Sequence, residues 1–480
     1  MSDSEFRHGS FRQILKASFA VLGLAAFAAA CVDEDTVFND RPFGDDPPAS
    51  AGGFLGYVQG EAGQPTCAQC HATPSSNWTV TAHAGAWETL QDSGHAQEFC
   101  EGCHTVSQLG NAATEAVGWT ATGDSRYVDV QCESCHGAGE THVAYPEASQ
   151  PLASLAVGED LTNGCGECHN GTHHPFVEQW EMSKHSEVVG FAASRLECAG
   201  CHRGQGTLLA WGVRGPYVEK FAEEPLAVVC GVCHSPHDNT FEGQLRFPVR
   251  TPDVGLHLCA RCHDRRSVAD PNDSHGLEPH APETKLLIGE SGWVPPGSGL
   301  SLGTISMTHG STSNERLCAT CHVAMYTVTD EATGEFQFQA VGHTFEAIPC
   351  VDESGIPNGE TDCPVNDVAR SFVGCVNSGC HSDEAGASAL LNNRADNIRA
   401  DAEVLLALLL LVDPNLDEPG GEIDATVSTF TVAEGGYFNY SLANHGGDVY
   451  GSTTHDAPWI RALLDASIDA VIDEYGVSIP

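Results

Sequence analysis

A short cysteine–histidine motif, Cys-x-x-Cys-His, recurs eight times in this chain of 480 residues and a stretched form adds a ninth. The copies use Cys67, Cys70 and His71; Cys100, Cys103 and His104; Cys132, Cys135 and His136; and Cys165, Cys168 and His169. They continue with Cys198, Cys201 and His202; Cys230, Cys233 and His234; Cys259, Cys262 and His263; and Cys318, Cys321 and His322. The stretched form is Cys375-Val-Asn-Ser-Gly-Cys380-His381. At this spacing two thiols form thioethers to one porphyrin, and the adjoining His supplies the proximal iron ligand. One copy alone fits a redox dithiol equally well. Zinc does not explain the series, because zinc sites give no reason for a His after every second Cys. The motifs therefore predict nine covalently bound haem c groups.

That prediction constrains the fold. Nine flat apolar groups supply much of the buried surface that a chain of this length otherwise draws from aliphatic side chains. Periodicity between motifs is weak, and 51 Gly with 25 Pro point to many loops. The expectation is a mostly α-helical chain with extensive loops, little β-structure and a haem-stacked core. First-Cys positions step by 33, 32, 33, 33, 32 and 29 residues, then by 59 and 57. A fixed period marks repeated units, here read as one motif with its loop and a ligand-bearing segment.

The motifs use 18 of 21 Cys, leaving Cys31, Cys350 and Cys363. Cys350 and Cys363 bracket a polar loop, and a disulfide between them suits an oxidising compartment. Arg7, Arg12 and Lys16 precede an apolar run ending Ala28-Ala29-Ala30-Cys31, which reads as an export signal over residues 1–30. Cys31 then stands where a bacterial lipoprotein carries its lipid, although Ala28 replaces the usual Leu; ordinary cleavage is the alternative. Residues 31–65 read as an acidic Pro/Gly-rich tether, 66–385 as the multihaem domain and 386–480 as a helical segment closing it. Within the last, helices are expected over Ala385–Val412 and from Pro458 through Ile472, with a short extended piece within Thr426–Leu442. The destination is periplasmic or at the outer membrane or cell surface, with the membrane met only through a lipid at Cys31.

Lys plus Arg number 21 against 65 Asp plus Glu, a net charge of −44. Like-charge repulsion rules out nucleic acid as a partner, whereas basic redox proteins and metal ions are drawn in. A lysine-poor acidic surface also suits salty surroundings.

Fourteen His remain once the proximal nine and His8 are set aside, enough for a second imidazole on every iron. Met182, Met307 and Met325 are too few to replace them. His/Met ligation raises potential, so bis-His irons of low potential are expected. The candidate distal ligands are His83, His95, His142, His174, His185, His237, His280, His309, His343 and His455. Trp78-x4-His83 and Trp180-x4-His185 share a pattern that sets an aromatic ring beside a ligand. His142 and His237 follow so closely after proximal His that they are expected to serve neighbouring haems. His257, His275 and His445 are assigned to surface or hydrogen-bonding roles.

Several strings go beyond the haem motif: Cys132-Glu-Ser-Cys-His-Gly-Ala-Gly-x-x-His142, Cys168-His-Asn-Gly-Thr-His-His-Pro175 with Trp180-x4-His185, and Cys233-His-Ser-Pro-His237. With Tyr437-Phe-Asn-Tyr440, His455-Asp456 and Ala462-Leu-Leu464, they resemble the multihaem cytochromes related to nitrite reductase and hydroxylamine oxidoreductase. The resemblance implies closely stacked, mainly bis-His haems. Ammonia-forming members use a CxxCK haem, and none occurs here.

The leading expectation is electron transfer, with other cytochromes, a membrane quinol-oxidising module or extracellular acceptors as partners, as in anaerobic respiration. One alternative is reduction of a small nitrogen or sulfur oxyanion at one open haem, the stretched site being the first place to look. Arg261, Arg265 and Arg266 are the visible candidate for a basic funnel toward such an anion, although a solvated face is the commoner meaning of such a stretch. Another alternative is a subunit of an extracellular conducting filament.

Overall fold

The computed structural model describes residues 53–479 apart from 59–62, 111–112, 114, 149, 156–163, 272–277 and 416–428. The export segment, Cys31 and most of the tether lie outside the described residues, as does His275. Short helices and single helical turns joined by loops make up most of the chain from Cys67 to His381. Each motif sits on or beside such a turn. In four of them the His N–H donates to the carbonyl of the first Cys at 2.9 Å, at His71, His169, His234 and His263. That bond closes one turn and fixes the two thiols relative to the imidazole.

Described strand structure is confined to one antiparallel ladder, β1 Tyr326–Thr329 against β2 Phe336–Ala340, with a bulge between Val328 and Thr329. The small sheet agrees with the expected helical, loop-rich class.

Three long helices follow: α1 Glu384–Val412, α2 Val432–Ala443 and α3 Tyr450–Tyr475. Asp383 caps α1 by accepting from the Gly386 N–H. Buried Ala395, Ile398, Ala402, Leu405 and Leu409 recur at helical spacing and give α1 one apolar face. Against it pack Leu442 of α2 and Trp459, Ile460, Leu463 and Leu464 of α3. Leu286, Ile305 and Met307, from before the last two motifs, share this core. No helix among the described residues is long and apolar enough to cross a membrane.

Two expectations for this region change. Thr431 and Glu434 form a capping box, so residues 432–442 are helical rather than extended. Gly435 and Gly436 weaken the helical signal, but a Cβ at Gly435 would stand 2.1 Å from the Trp293 ring. The final helix starts earlier than Pro458 and breaks at Asp456, where φ is −159°. Asp456 then caps the second stretch, its Oδ1 accepting from the Trp459 N–H at 3.2 Å. Burial pushes the Asp456 carboxyl up to about 7.

Cys350 and Cys363 form the expected disulfide across 13 residues. Closing a loop of this length stabilises by about 3 kcal/mol. Replacing both Cys by Ser should lower the loop's resistance to denaturant by about that amount, read as a shifted unfolding midpoint with haem content unchanged.

Candidate haem sites

Four proximal imidazoles are held in one tautomer. His104, His136, His234 and His322 direct Nδ1 at the carbonyls of Ala86, Leu152, Gly243 and Phe345, at 2.6–2.8 Å. A carbonyl only accepts, so Nδ1 carries the proton and Nε2 keeps a free lone pair. Candidate distal residues use the same device: His309 donates to Thr454, His343 to Val341 and His455 to Gly451. Burial first, then neighbouring imidazoles, push His169 and His185 down to about 4, which keeps both neutral.

Eight motif His each face a second imidazole. Ring centroids stand 6.2 Å apart for His71–His142, 6.1 Å for His169–His83, 5.8 Å for His136–His237 and 6.2 Å for His263–His185. The distances are 6.0 Å for His202–His280, 6.4 Å for His234–His343, 6.2 Å for His322–His455 and 6.3 Å for His381–His309. Two metal–imidazole bonds of about 2 Å each, with the ring radii, fill a gap of about 6 Å. The residues thus fit a haem iron between each pair. His142 and His237 face motifs other than the ones they follow.

His104 has no such ring facing it among the described residues. His174 is near enough for the charge of His104 to bear on it. The stretched motif, expected to hold the exception, has His309 opposite its His381 like the others. His95 is brought to no motif; it is exposed, in a turn with Ser93. His173 stacks on Phe336 at 4.5 Å. His257 is buried, with Nδ1 accepting from the Cys259 N–H and Nε2 toward the Arg316 carbonyl. It forms with Cys259 and Cys318 the one metal-spaced cluster among the described residues, but both thiols belong to haem motifs. Arg261 lies over the Phe247 ring and Arg265 donates to the Glu197 carbonyl, so both are engaged within the fold.

The surroundings also fit a porphyrin. Phe99, beside Cys100, is 80% exposed and Leu196, two residues before Cys198, is 94% exposed. Both stand within two residues of a motif Cys, where an attached porphyrin would cover them. A cavity of about 280 Å³ lies against Cys375, Cys380, His381 and His309, lined also by Phe372 and Leu390.

Motifs numbered one to nine along the chain meet in a regular order. First Cys interacts with first Cys between one and three (Cys67, Cys132), four and six (Cys165, Cys230), and seven and eight (Cys259, Cys318). Second Cys interacts with second Cys between two and four (Cys103, Cys168) and between five and seven (Cys201, Cys262). Cys135 also lies near Cys165, Cys233 near Cys259, and Cys321 near Cys375. The result is a trunk of motifs one, three, four, six, seven, eight and nine. Motif two branches from four, and motif five from seven.

The repeating unit is therefore three motifs rather than one. Motifs one to three and four to six make two full units. Motifs seven and eight make a third without its branch, and the step of 59 residues falls where that branch would stand. Hydrogen bonds repeat with it. Trp78 donates to Val130, whose N–H donates to His83; Trp180 donates to Val228, whose N–H donates to His185. Both Val lie two residues before a motif Cys. The facing His follow suit: His83, His185 and His309 precede motifs two, five and eight and face motifs four, seven and nine. By the same rule His280, following motif seven and facing motif five, corresponds to His174, following motif four.

Residues 66–137 match the family model of cytochrome c554 and c-prime, and residues 224–268 match a doubled CXXCH motif. In fold the chain is similar to the outer cell wall cytochrome OcwA, at 16% identity and a TM-score of 0.52, over 87% of this chain and 99% of that one. No curated protein matches it. The attachment motifs, the helical loop-rich fold and these similarities agree: the chain is a multihaem c-type cytochrome.

Proposed function

We propose that this protein carries electrons through nine covalently bound haems, mainly bis-His and of low potential. It works outside the cytoplasm and passes electrons to other cytochromes, a membrane quinol-oxidising module or extracellular acceptors. The observation that carries this reading is the set of eight imidazole pairs at one spacing. When bound, haem c supplies one-electron chemistry. The chain's residues set imidazole tautomers and hold successive motifs thiol to thiol. No acid–base residue is needed. Export is supported by the signal-like residues 1–30 and by the fold shared with an outer cell wall cytochrome, and a lipid at Cys31 supplies the anchor. The net charge of −44 favours basic or metallic partners.

For motif two the proposed second ligand is His174, on the repeat rule above. A reductase reading is favoured by one observation, the lack of a facing ring at His104. EPR of the oxidised protein, with haem counted chemically, separates the two. A carrier gives nine haems and only low-spin signals. A stoichiometric high-spin signal that shifts with nitrite or hydroxylamine would overturn the carrier reading and assign an open site.

A further inference from the structure

Two trunk motifs, four and seven, each carry a branch, and the repeat makes them an internal comparison. After each proximal His the chain reaches a Pro that opens a short helix: Pro175 before Phe176–Glu181 and Pro282 before Glu283–Leu287. The second helical residue then donates its N–H back to the proximal His carbonyl, Val177 to His169 at 3.2 Å and Thr284 to His263 at 3.0 Å. Phe176 and Glu283 are therefore structurally equivalent, and they could hardly differ more. The Phe176 ring stands edge-on to the His169 imidazole at 5.3 Å. The Glu283 carboxylate instead lies 3.3 Å from His263 Nδ1. Among the described residues, His263 is the proximal imidazole with a side-chain carboxylate at Nδ1.

A second imidazole holds that carboxylate in place. His445, from the α2–α3 connection, sets Nε2 3.3 Å from the other Glu283 oxygen. Thus the surplus His445 orients an acid, and the acid orients a proximal ligand.

We infer that Glu283 makes the haem at motif seven the lower-potential of the two junctions, with Phe176 leaving the motif-four haem higher. A carboxylate accepting the Nδ1 proton makes the imidazole a stronger donor, which stabilises the ferric over the ferrous iron. An apolar ring at the equivalent place supplies no such charge. The asymmetry biases an electron on the trunk toward motif four and away from motif seven, where motifs five, six and eight converge. Glu283 is a positioning and tuning residue, acting through His263.

The inference rests on the haem reading above, so the test uses the haem-loaded protein and checks haem count and low-spin EPR first. In Glu283→Gln, one of the one-electron steps in a spectroelectrochemical titration should shift in favour of reduction by about tenfold, about 59 mV. One low-spin EPR component should shift with it. Glu283→Asp should keep the low potential, and Phe176→Glu should lower a different step. Titrations of Glu283→Gln that superimpose on the parent, with haem count and spin state intact, would overturn the inference. A changed haem count or spin state in the parent would instead refute the carrier reading.

Discussion

Replacing Cys259 and Cys262 together by Ala should slow electron transfer between the two ends of the trunk by several orders of magnitude. These thiols hold the haem at motif seven, whose Cys meet Cys318 of motif eight and Cys201 of motif five. Cys233 lies near both of its thiols and so places motif six beside it. Every route from motifs one to six toward eight and nine passes through it. Tunnelling falls steeply with distance, so no detour compensates for its loss. Replacing Cys100 and Cys103 removes one haem as well, but from a branch that meets the trunk at Cys168. That variant should re-equilibrate along the trunk at the parent rate. The comparison is made at equal haem content, by pulse-reducing one end and following reduction at the other. Equal rates in the two variants would refute the trunk order.

The motifs alone make the chemistry legible, because haem attachment is a local property of five residues. The order in which the haems meet is not local. A period of 32 or 33 residues looks like one repeated unit. Only the contacts between thiols reveal three motifs per unit and a missing branch in the third. The distal His illustrate the same limit. Steric grounds assign His142 and His237 to neighbouring haems, and the ring geometry pairs them with His71 and His136. His95 is a candidate on the same footing of being a spare His, yet it stands exposed, because ligand position depends on the return path of the chain. The role of Glu283 is invisible in the sequence for a related reason: only after folding do His263 and His445 converge on it from opposite sides in sequence.

The largest stability effect should come from Trp459→Ala, at about 3–5 kcal/mol. Trp459 is fully buried among Leu408, Leu442 and Leu463, where α1, α2 and α3 meet. Its indole also donates to the Ser291 carbonyl at 2.8 Å, tying the helices to the loop before motif eight. Asn439 ties the same loop by bonding both the Trp293 N–H and its carbonyl. Removing the indole opens a cavity and leaves a buried carbonyl without its donor. Trp459→Phe should keep most of the volume and lose mainly the bond, costing about 1–3 kcal/mol. The two variants therefore separate packing from hydrogen bonding in a denaturant titration followed by far-ultraviolet circular dichroism. Because Trp459 anchors the stretch that follows the break at Asp456, and His455 just before that break faces His322 at 6.2 Å, the Ala variant should also broaden one low-spin EPR component. If stability falls with all low-spin components unchanged, the helices hold the core without holding the motif-eight ligand.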